Sequence, residues 1–186
     1  MIYRHFDIAM NVTLVIWVLT LIFTFYAGWI DWRTRRIPNW LTVTGFFLGI
    51  GMHIVIGGWH GVFSSLEGAG IGLLALLPLV ILRGLGAGDW KLMGAVGSLL
   101  GPWGLLAVLF VAVMVSGLMA LATIIQAQRV ITTLRNMVVL VQGFFVFGWR
   151  GNPEITLDNP GLLKLPFGVA AAMTTMICFV LSRLAR

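Results

Sequence analysis

Residues 12–39 read VTLVIWVLTLIFTFYAGWIDWRTRRIPN, and this stretch decides the fold class. Its first part, from Val12 to Ile30, is an uninterrupted apolar run of the length that a membrane-crossing helix needs, roughly 20 residues. The run is too long for the core of a signal peptide, and no clear small-residue cleavage site follows it, so we expect a retained transmembrane helix. Asp31 comes directly after the run and is followed by a cluster of arginines, which predicts that this helix ends at a cytoplasmic face.

The composition of the whole chain indicates an all-α, polytopic integral membrane protein. Of its 186 residues, 60% are hydrophobic and 10% are charged, and the mean hydropathy is +1.02. A soluble domain is nearer a quarter charged. The apolar runs are continuous instead of alternating, which favours helices over a transmembrane barrel. We expect one domain over residues 1–186 in the lipid bilayer, and we attribute the net charge of +6 to cytoplasmic loops, with no nucleic-acid partner.

Hydropathy predicts about six transmembrane helices. We place them at residues 12–30, 40–58, 67–83, 90–101, 103–127 and 165–182. The fourth is short and ends at Gly101-Pro102, so the fourth and fifth can also be read as one broken span. Basic residues follow the first, third and fifth helices and are missing from the loops at 57–66 and 101–104, so the N-terminus is expected outside. At 129–149 the apolar residues approximate one helical face, which predicts an amphipathic helix on the cytoplasmic leaflet.

A second aspartate lies in a comparable setting. Asp89 belongs to GLGAGDWK, residues 84–91, at the inner start of the predicted fourth helix, so it is expected at the same depth and face as Asp31. Ionisable groups at membrane depth are costly and are candidates for function. Two adjacent carboxylates can share one proton and activate a water molecule, as in an aspartic protease. Each also has a structural interpretation, because Asp31 can pair with Arg35 and Asp89 can cap a helix.

Three short blocks carry a resemblance to a known family. The segment Gly86-Ala-Gly-Asp89 matches the GxGD signature of intramembrane-type aspartic proteases, and DWRTRRIPN at 31–39 resembles the first-aspartate motif of the prepilin peptidases. The segment Lys164-Leu-Pro-Phe-Gly168 resembles a third block of that family, a Pro-Phe-Gly turn that opens the last helix. The chain lacks the four zinc-binding cysteines of the bifunctional members. It is therefore more similar to the small TadV/CpaA-like type of the Flp/Tad pilus system, and no methyltransferase activity is expected.

The resemblance implies an activity and a set of site residues. It implies an aspartic endopeptidase of the bacterial inner membrane with Asp31 and Asp89 as a catalytic dyad facing the cytoplasm. The implied partner is a type IVb/Flp-type prepilin, cut after a glycine between its short basic leader and its hydrophobic helix. The implied supporting residues are Gly86, Gly88, Lys91, Pro38, Asn39, Pro166, Phe167 and Gly168.

Several alternatives stay open at this point. A preflagellin or a pseudopilin fits as substrate too, and a small transporter or secretion-assembly subunit would use the two aspartates as ion sites. Lys91 lies either near the dyad or simply at the inner surface, whereas Pro38 and Asn39 are expected to shape the entry to the second helix. No metal or organic cofactor is expected, because two carboxylates and a water suffice and His53 with His60 is a poor ligand pair.

Overall fold

The computed structural model describes residues 2–81, 85–126 and 167–184, and every element within these ranges is a helix. Helix α1 spans Ile2–Thr34, α2 spans Asn39–Ile81, α3 spans Ala87–Gln126 and α4 spans Phe167–Leu184. Each contains a stretch that is long and apolar enough to cross a membrane. The prediction of an all-helical membrane protein is confirmed.

Some predicted features lie outside the described residues. They are Arg83 and Gly84, the basic residues Arg129 and Arg135, the amphipathic helix at 129–149, the loop at 150–164, and Pro166. These features stay predictions.

Helix α2 is interrupted at Gly58, where the backbone takes φ 54° and ψ −133°. This left-handed φ is accessible to glycine because it has no Cβ. Just beyond the break, Gly61 lies directly against the backbone of His53, so the two halves of α2 touch each other near the break.

Contacts with α3 give the directions of the two halves of α2. Along the first half, residue numbers rise together with those of α3, in the contacts Asn39–Lys91 and Phe46–Ser98. Along the second half they rise in opposite order, in the contacts Ser65–Ser98 and Leu73–Trp90. Helix α2 is therefore a hairpin of two helical arms, and both arms pack against α3.

The loop predicted at residues 57–66 is wrong, since the chain returns to a helix directly after Gly58. The physical reason is a row of small residues at helical spacing. Gly61, Ser65, Gly68 and Gly72 are buried on one side of the second arm; Gly61 allows close contact with the first arm, and the other three allow close contact with α3. Interhelical packing of this kind keeps the polar segment helical up to the turn.

Helix α3 breaks at Gly101, with φ 72° and ψ −178°, immediately before Pro102. The predicted interruption at Gly101-Pro102 is confirmed, and proline explains it in part because it lacks the N–H that a helix interior needs. Past the break, Leu105 packs against Gly97, so the two parts of α3 bend toward each other. With the hairpin in α2, this bend favours six crossings, although the number itself stays a prediction.

Two helix boundaries differ from the predicted ones. Helix α1 begins at Ile2, ahead of the predicted start at Val12, because the helix continues through polar residues that a hydropathy criterion excludes. Helix α4 begins at Phe167, close to the predicted start at 165.

The first part of α3 is the centre of the fold. All residues from Leu92 to Leu99 are buried, so this segment is enclosed on every side, as expected for a helix that is apolar all round. Helices α1 and α4 pack together beside it through small side chains, namely Thr20, Thr24, Ala27, Ala171, Thr174 and Thr175. Asp89 lies at the start of the central helix, and Asp31 lies at the end of α1.

Candidate active site

Asp31 lies in the last turn of α1, and the local backbone explains why the helix ends there. The Arg35 N–H donates to the Asp31 carbonyl oxygen at 2.8 Å, and Arg35 takes a φ of 53°. A left-handed residue just past the last turn closes a helix, since its N–H satisfies a free carbonyl. The chain then passes Pro38 and starts α2 at Asn39, so the link between the two helices is short.

The Asp31 carboxylate points away from solvent, since the residue is only 5% exposed. Its Oδ2 accepts a hydrogen bond from the backbone N–H of Gly168 at 2.9 Å. Gly168 is the second residue of α4, and N–H groups in the first turn of a helix have no partner within the helix. Gly168, in the third motif, therefore contacts Asp31, in the first motif, although the two residues are far apart in the sequence.

Asp89 lies in the first turn of α3, and its carboxylate interacts with the backbone N–H of Gly86. Gly86 directly precedes the helix, so this contact resembles the part of a capping box in which the third helical side chain reaches back to the cap. A Cβ on Gly86 would lie 3.0 Å from Asp89 Oδ2. The first glycine of the GxGD motif therefore leaves room for the aspartate that ends the motif.

The two aspartates come together at one end of the bundle. Asp31 is in the last turn of α1 and Asp89 is in the first turn of α3, and the residue before Asp89 packs against the link that follows α1. Gly88 allows this approach, because a Cβ there would lie 3.3 Å from Ile37 Cβ and 3.4 Å from its carbonyl oxygen. The start of α3 thus rests on the link between α1 and α2, which sets Asp89 beside the end of α1.

Lys91 and Asn39 form a polar contact next to this pair. The Lys91 ammonium donates to Asn39 Oδ1 at 2.9 Å, and both residues are exposed. The bond joins the first turns of α2 and α3, and it identifies a polar surface at the end of the bundle where the aspartates lie. Asn39 begins α2 as expected.

The remaining supporting residues have structural surroundings of their own. The Pro38 carbonyl accepts the N–H of Leu41 at 3.2 Å and so belongs to the entry to α2. Phe167 is partly buried and packs against the hydrophobic core. Pro166 lies outside the described residues, and the supporting role of the set stays a prediction.

Sequence reasoning missed three residues that shape this site. Gly28 lies one turn before Asp31 and packs against the Gly168 carbonyl, Ile37 supports Gly88, and the Trp90 indole N–H donates to the Leu73 carbonyl at 2.6 Å. A glycine one turn ahead of a membrane-depth carboxylate was a usable signal for Gly28, because such glycines often mark close helix contacts. The partner of Trp90 lies on the returning arm of α2, whose direction the sequence does not reveal.

A groove of about 530 Å³ opens on the link between α1 and α2. Its lining residues are Ile30, Thr34, Arg36, Ile37, Pro38, Asn39 and Trp40. The lining therefore includes Ile30, which directly precedes Asp31 in the sequence, and Asn39, which bonds to Lys91.

The described part of the chain contains no group of three or more His, Cys, Asp or Glu side chains that could hold a metal ion. His53, one of the two histidines considered as ligands, bonds through Nε2 to the Leu99 carbonyl at 3.0 Å. Because a carbonyl oxygen can only accept, this ring nitrogen is the donor. The ring therefore joins the first arm of α2 to the central helix.

The family model of the type IV leader peptidase family matches residues 18–121, which is more than half of the chain. The chain belongs to the type IV leader peptidase family. The match includes Asp31 and the segment Gly86–Asp89, and it ends before Gly168. Comparison with curated proteins gave no match, and neither did comparison with solved structures.

Membership supports the broad prediction of a leader peptidase, and the apolar helices agree with a family that is embedded in membranes. Membership in the family specifies neither the catalytic residues nor the substrate.

Proposed function

We propose that this leader peptidase is an aspartic endopeptidase that uses Asp31 and Asp89 as its catalytic dyad. The observation that carries the proposal is that Asp31, at the end of α1, and Asp89, at the start of α3, lie at the same end of the helical bundle, where Gly88 packs against Ile37 in the link that follows α1. Placing two acidic groups at the same end of the bundle, with Asp31 buried and Asp89 partly buried, is unfavourable for folding alone, because like charges repel and lose hydration. A functional requirement explains why both are present in a family of peptidases.

The dyad acts by general acid–base catalysis. Two adjacent carboxylates hold one proton between them, because both do not ionise cheaply at short distance. The ionised carboxylate removes a proton from a water molecule as the water oxygen attacks the carbonyl carbon of the scissile peptide. The protonated carboxyl gives its proton to the carbonyl oxygen, which forms a neutral tetrahedral diol. The diol then collapses, the C–N bond breaks, and a proton passes to the leaving amine.

The proposed substrate is a type IVb/Flp-type prepilin, which presents a short basic leader, a glycine and then a hydrophobic helix. The compact chain, which has one cysteine, supports this assignment through its similarity to the small TadV/CpaA-like peptidases. The hydrophobic helix of the substrate lies in the bilayer beside the peptidase, while the leader stays in the cytoplasm. Arg33, Arg35 and Arg36 at the end of α1 support a cytoplasmic position for this end of the bundle.

The test is a cleavage assay with purified protein in liposomes that also contain a Flp-type prepilin. The variants are Asp31→Asn and Asp89→Asn, which keep side-chain size and remove the acid–base group. Glu67→Gln is a matched control, because Glu67 is an exposed carboxylate on α2, away from the pair. Mass spectrometry of the new N-terminus reports the position of the cut.

We expect wild type and Glu67→Gln to cut after the glycine, and both aspartate variants to lose cleavage while remaining folded and inserted. Full activity in either aspartate variant would exclude the dyad. If wild type leaves the Flp-type prepilin intact but cuts a pseudopilin or preflagellin, the substrate assignment is wrong and the chemistry stands. If a panel of all three stays intact, the peptidase proposal fails for these substrates, and ion flux through the same liposomes becomes the next measurement.

A further inference from the structure

We propose that Gly168 is a positioning residue, whose backbone N–H at the start of α4 fixes the orientation of the Asp31 carboxylate. The inference rests on the proposed function and deepens it, since it gives the third sequence block a physical role at the dyad. In this scheme Gly168 contacts neither the substrate nor the attacking water, and its contact with the dyad is the hydrogen bond to Asp31. It acts through Asp31.

The first observation is the hydrogen bond and its setting. The Gly168 N–H donates to Asp31 Oδ2 at 2.9 Å, and Asp31 is 5% exposed. In apolar surroundings such a bond is stronger than at a surface, because water does not compete for the donor. The positive end of the α4 helix dipole also favours a carboxylate there. This contact therefore restrains the side-chain rotation of Asp31.

The second observation is that residue 168 has room only for glycine. A Cβ there would lie 2.9 Å from Asp31 Cβ and 3.1 Å from Asp31 Oδ2. The φ of Gly168 lies outside the left-handed region, so glycine is needed for space and not for backbone conformation. Its absent side chain is what lets the N–H approach the carboxylate.

The third observation is a second glycine on the opposite helix. A Cβ on Gly28 would lie 2.9 Å from the Gly168 carbonyl oxygen. Gly28 precedes Asp31 by one turn, so the two glycines bring the backbones of α1 and α4 into contact next to the carboxylate. Ala172, one turn further along α4, extends this contact, because a Cβ on Gly28 would lie 3.4 Å from the Ala172 Cβ. The close approach is therefore a property of the helix pair and is not confined to one bond.

The two carboxylates are thus held in a similar way. A backbone N–H at the start of α4 orients Asp31, and a backbone N–H just ahead of α3 orients Asp89. A shared proton and a water molecule require a fixed mutual geometry, and displacement of about 1 Å can lower a catalytic rate by roughly a hundredfold. The glycine of the Pro-Phe-Gly block sets one half of that geometry.

The experiment uses the full-length protein in liposomes with two substitutions at the same residue. Gly168→Ala keeps the N–H and adds a methyl group against Asp31. Gly168→Pro adds bulk and also removes the N–H, at a first-turn position where proline is tolerated. Gly70→Ala is the control, because a Cβ on Gly70 meets no atom within 4 Å.

We expect kcat to fall about tenfold in Gly168→Ala and at least about a hundredfold in Gly168→Pro, with KM unchanged in both. Gly70→Ala keeps the wild-type kcat. An infrared spectrum of folded protein with ¹³C-labelled aspartate supplies a readout that does not depend on cleavage. The band that Asp31→Asn removes should shift in frequency in Gly168→Pro and less in Gly168→Ala.

The outcomes separate this inference from the proposed function. If wild type cleaves and folded Gly168→Pro cleaves equally well, with an unshifted Asp31 band, the positioning role is wrong and the dyad stands. If Gly168→Pro does not fold, Gly168→Ala decides, and an unchanged kcat there overturns the inference. If wild type cleaves no leader at all, the proposed function fails, whereas the infrared shift still tests the hydrogen bond.

Discussion

Polar side chains lie at least partly buried in two regions of the protein that are built differently. The serine cluster, Ser65 and Ser98, lies between the arms of α2 and the central helix. The carboxylate pair, Asp31 and Asp89, lies at the end of the bundle where α1 stops and α3 starts. Both regions lie among apolar helices, and they differ in how far the hydrogen-bonding capacity of their polar groups is used within the protein.

In the serine cluster the hydroxyl hydrogens are used within the protein. Ser65 Oγ lies 2.7 Å from Ser98 Oγ and 2.9 Å from the Ser98 carbonyl oxygen, and Ser98 Oγ donates to the Phe46 carbonyl at 2.8 Å. Both serines are fully buried. The cluster therefore joins three helical segments, and each hydroxyl has a partner for its proton.

The carboxylates of Asp31 and Asp89 can accept more hydrogen bonds than the hydroxyls of the serine cluster can. Among the described residues, backbone N–H groups of Gly168 and Gly86 contact Asp31 and Asp89 respectively. An ionised carboxylate offers about four lone-pair sites, so both side chains can also bind a water and a substrate. Two carboxyl groups that share one proton and keep free acceptor sites have the properties that the proposed catalytic role requires.

The largest expected effect comes from neutralising the carboxylate pair. We expect Asp31→Asn and Asp89→Asn each to lower kcat at least about a thousandfold, and the double variant to be no worse than either single one, because the two groups act as a unit. Since neutralisation also removes mutual repulsion, the variants should unfold no more readily than wild type. Cleavage rates and unfolding in detergent measure both quantities, and additive losses of rate would contradict a shared role.

A smaller effect, on stability, is expected where α2 and α3 touch. Gly97 lies directly against the Gly68 carbonyl, so Gly97→Ala forces two backbones apart. We expect a loss of about 2–3 kcal/mol in the free energy of unfolding, with kcat per folded molecule unchanged. Gly70→Ala is the matched control, since its Cβ points into open space. Equal stability of the two variants would mean that the arms of α2 do not pack as closely as the structure has them.

Much of this architecture could be predicted from local sequence. The apolar run before Asp31 and the Gly101-Pro102 break follow from hydropathy and from the chemistry of proline, and both agree with the structure. The hairpin at Gly58 was misread because its second arm begins with polar residues. Its helical state depends on the small residues that contact α3, and a partner helix is not visible in a local window.

For the candidate site, too, some features could be predicted from the sequence and others could not. A shared depth for Asp31 and Asp89 was predicted from charge and topology, and the structure has the end of α1 and the start of α3 at the same end of the bundle. The Gly168 N–H that contacts Asp31 could not be derived, because it depends on how α4 packs against α1. The alternative of Asp89 as a helix cap also describes its contact with Gly86, so capping and catalysis are compatible in one side chain.

Within the serine cluster we expect a modest loss of stability and no loss of activity. Ser98→Ala removes the bonds to Phe46 and to the Ser65 hydroxyl, while Ser65 keeps the Ser98 carbonyl as acceptor. The expected cost is about 1 kcal/mol, since hydrogen bonds between membrane helices are worth roughly 0.6 kcal/mol on average. A double-mutant cycle with Ser65→Ala measures the coupling. A Ser98→Ala variant that folds normally but fails to cleave would place the serine cluster within the catalytic machinery. The serine cluster and the carboxylate pair would then no longer differ in role.

The smallest effect is expected at Lys91, where the two sequence interpretations differ. Its ammonium bonds to Asn39 Oδ1 at 2.9 Å on an exposed surface, and water and salt screen a charge in that position. We therefore expect Lys91→Met to change kcat by no more than about threefold at low ionic strength, and by less at high salt, where screening is stronger. Lys91→Arg keeps the charge and serves as the control. A salt-insensitive loss of a hundredfold in Lys91→Met, restored in Lys91→Arg, would show that the lysine charge acts directly on the carboxylate pair, and the polar surface at Asn39 would then belong to the active site.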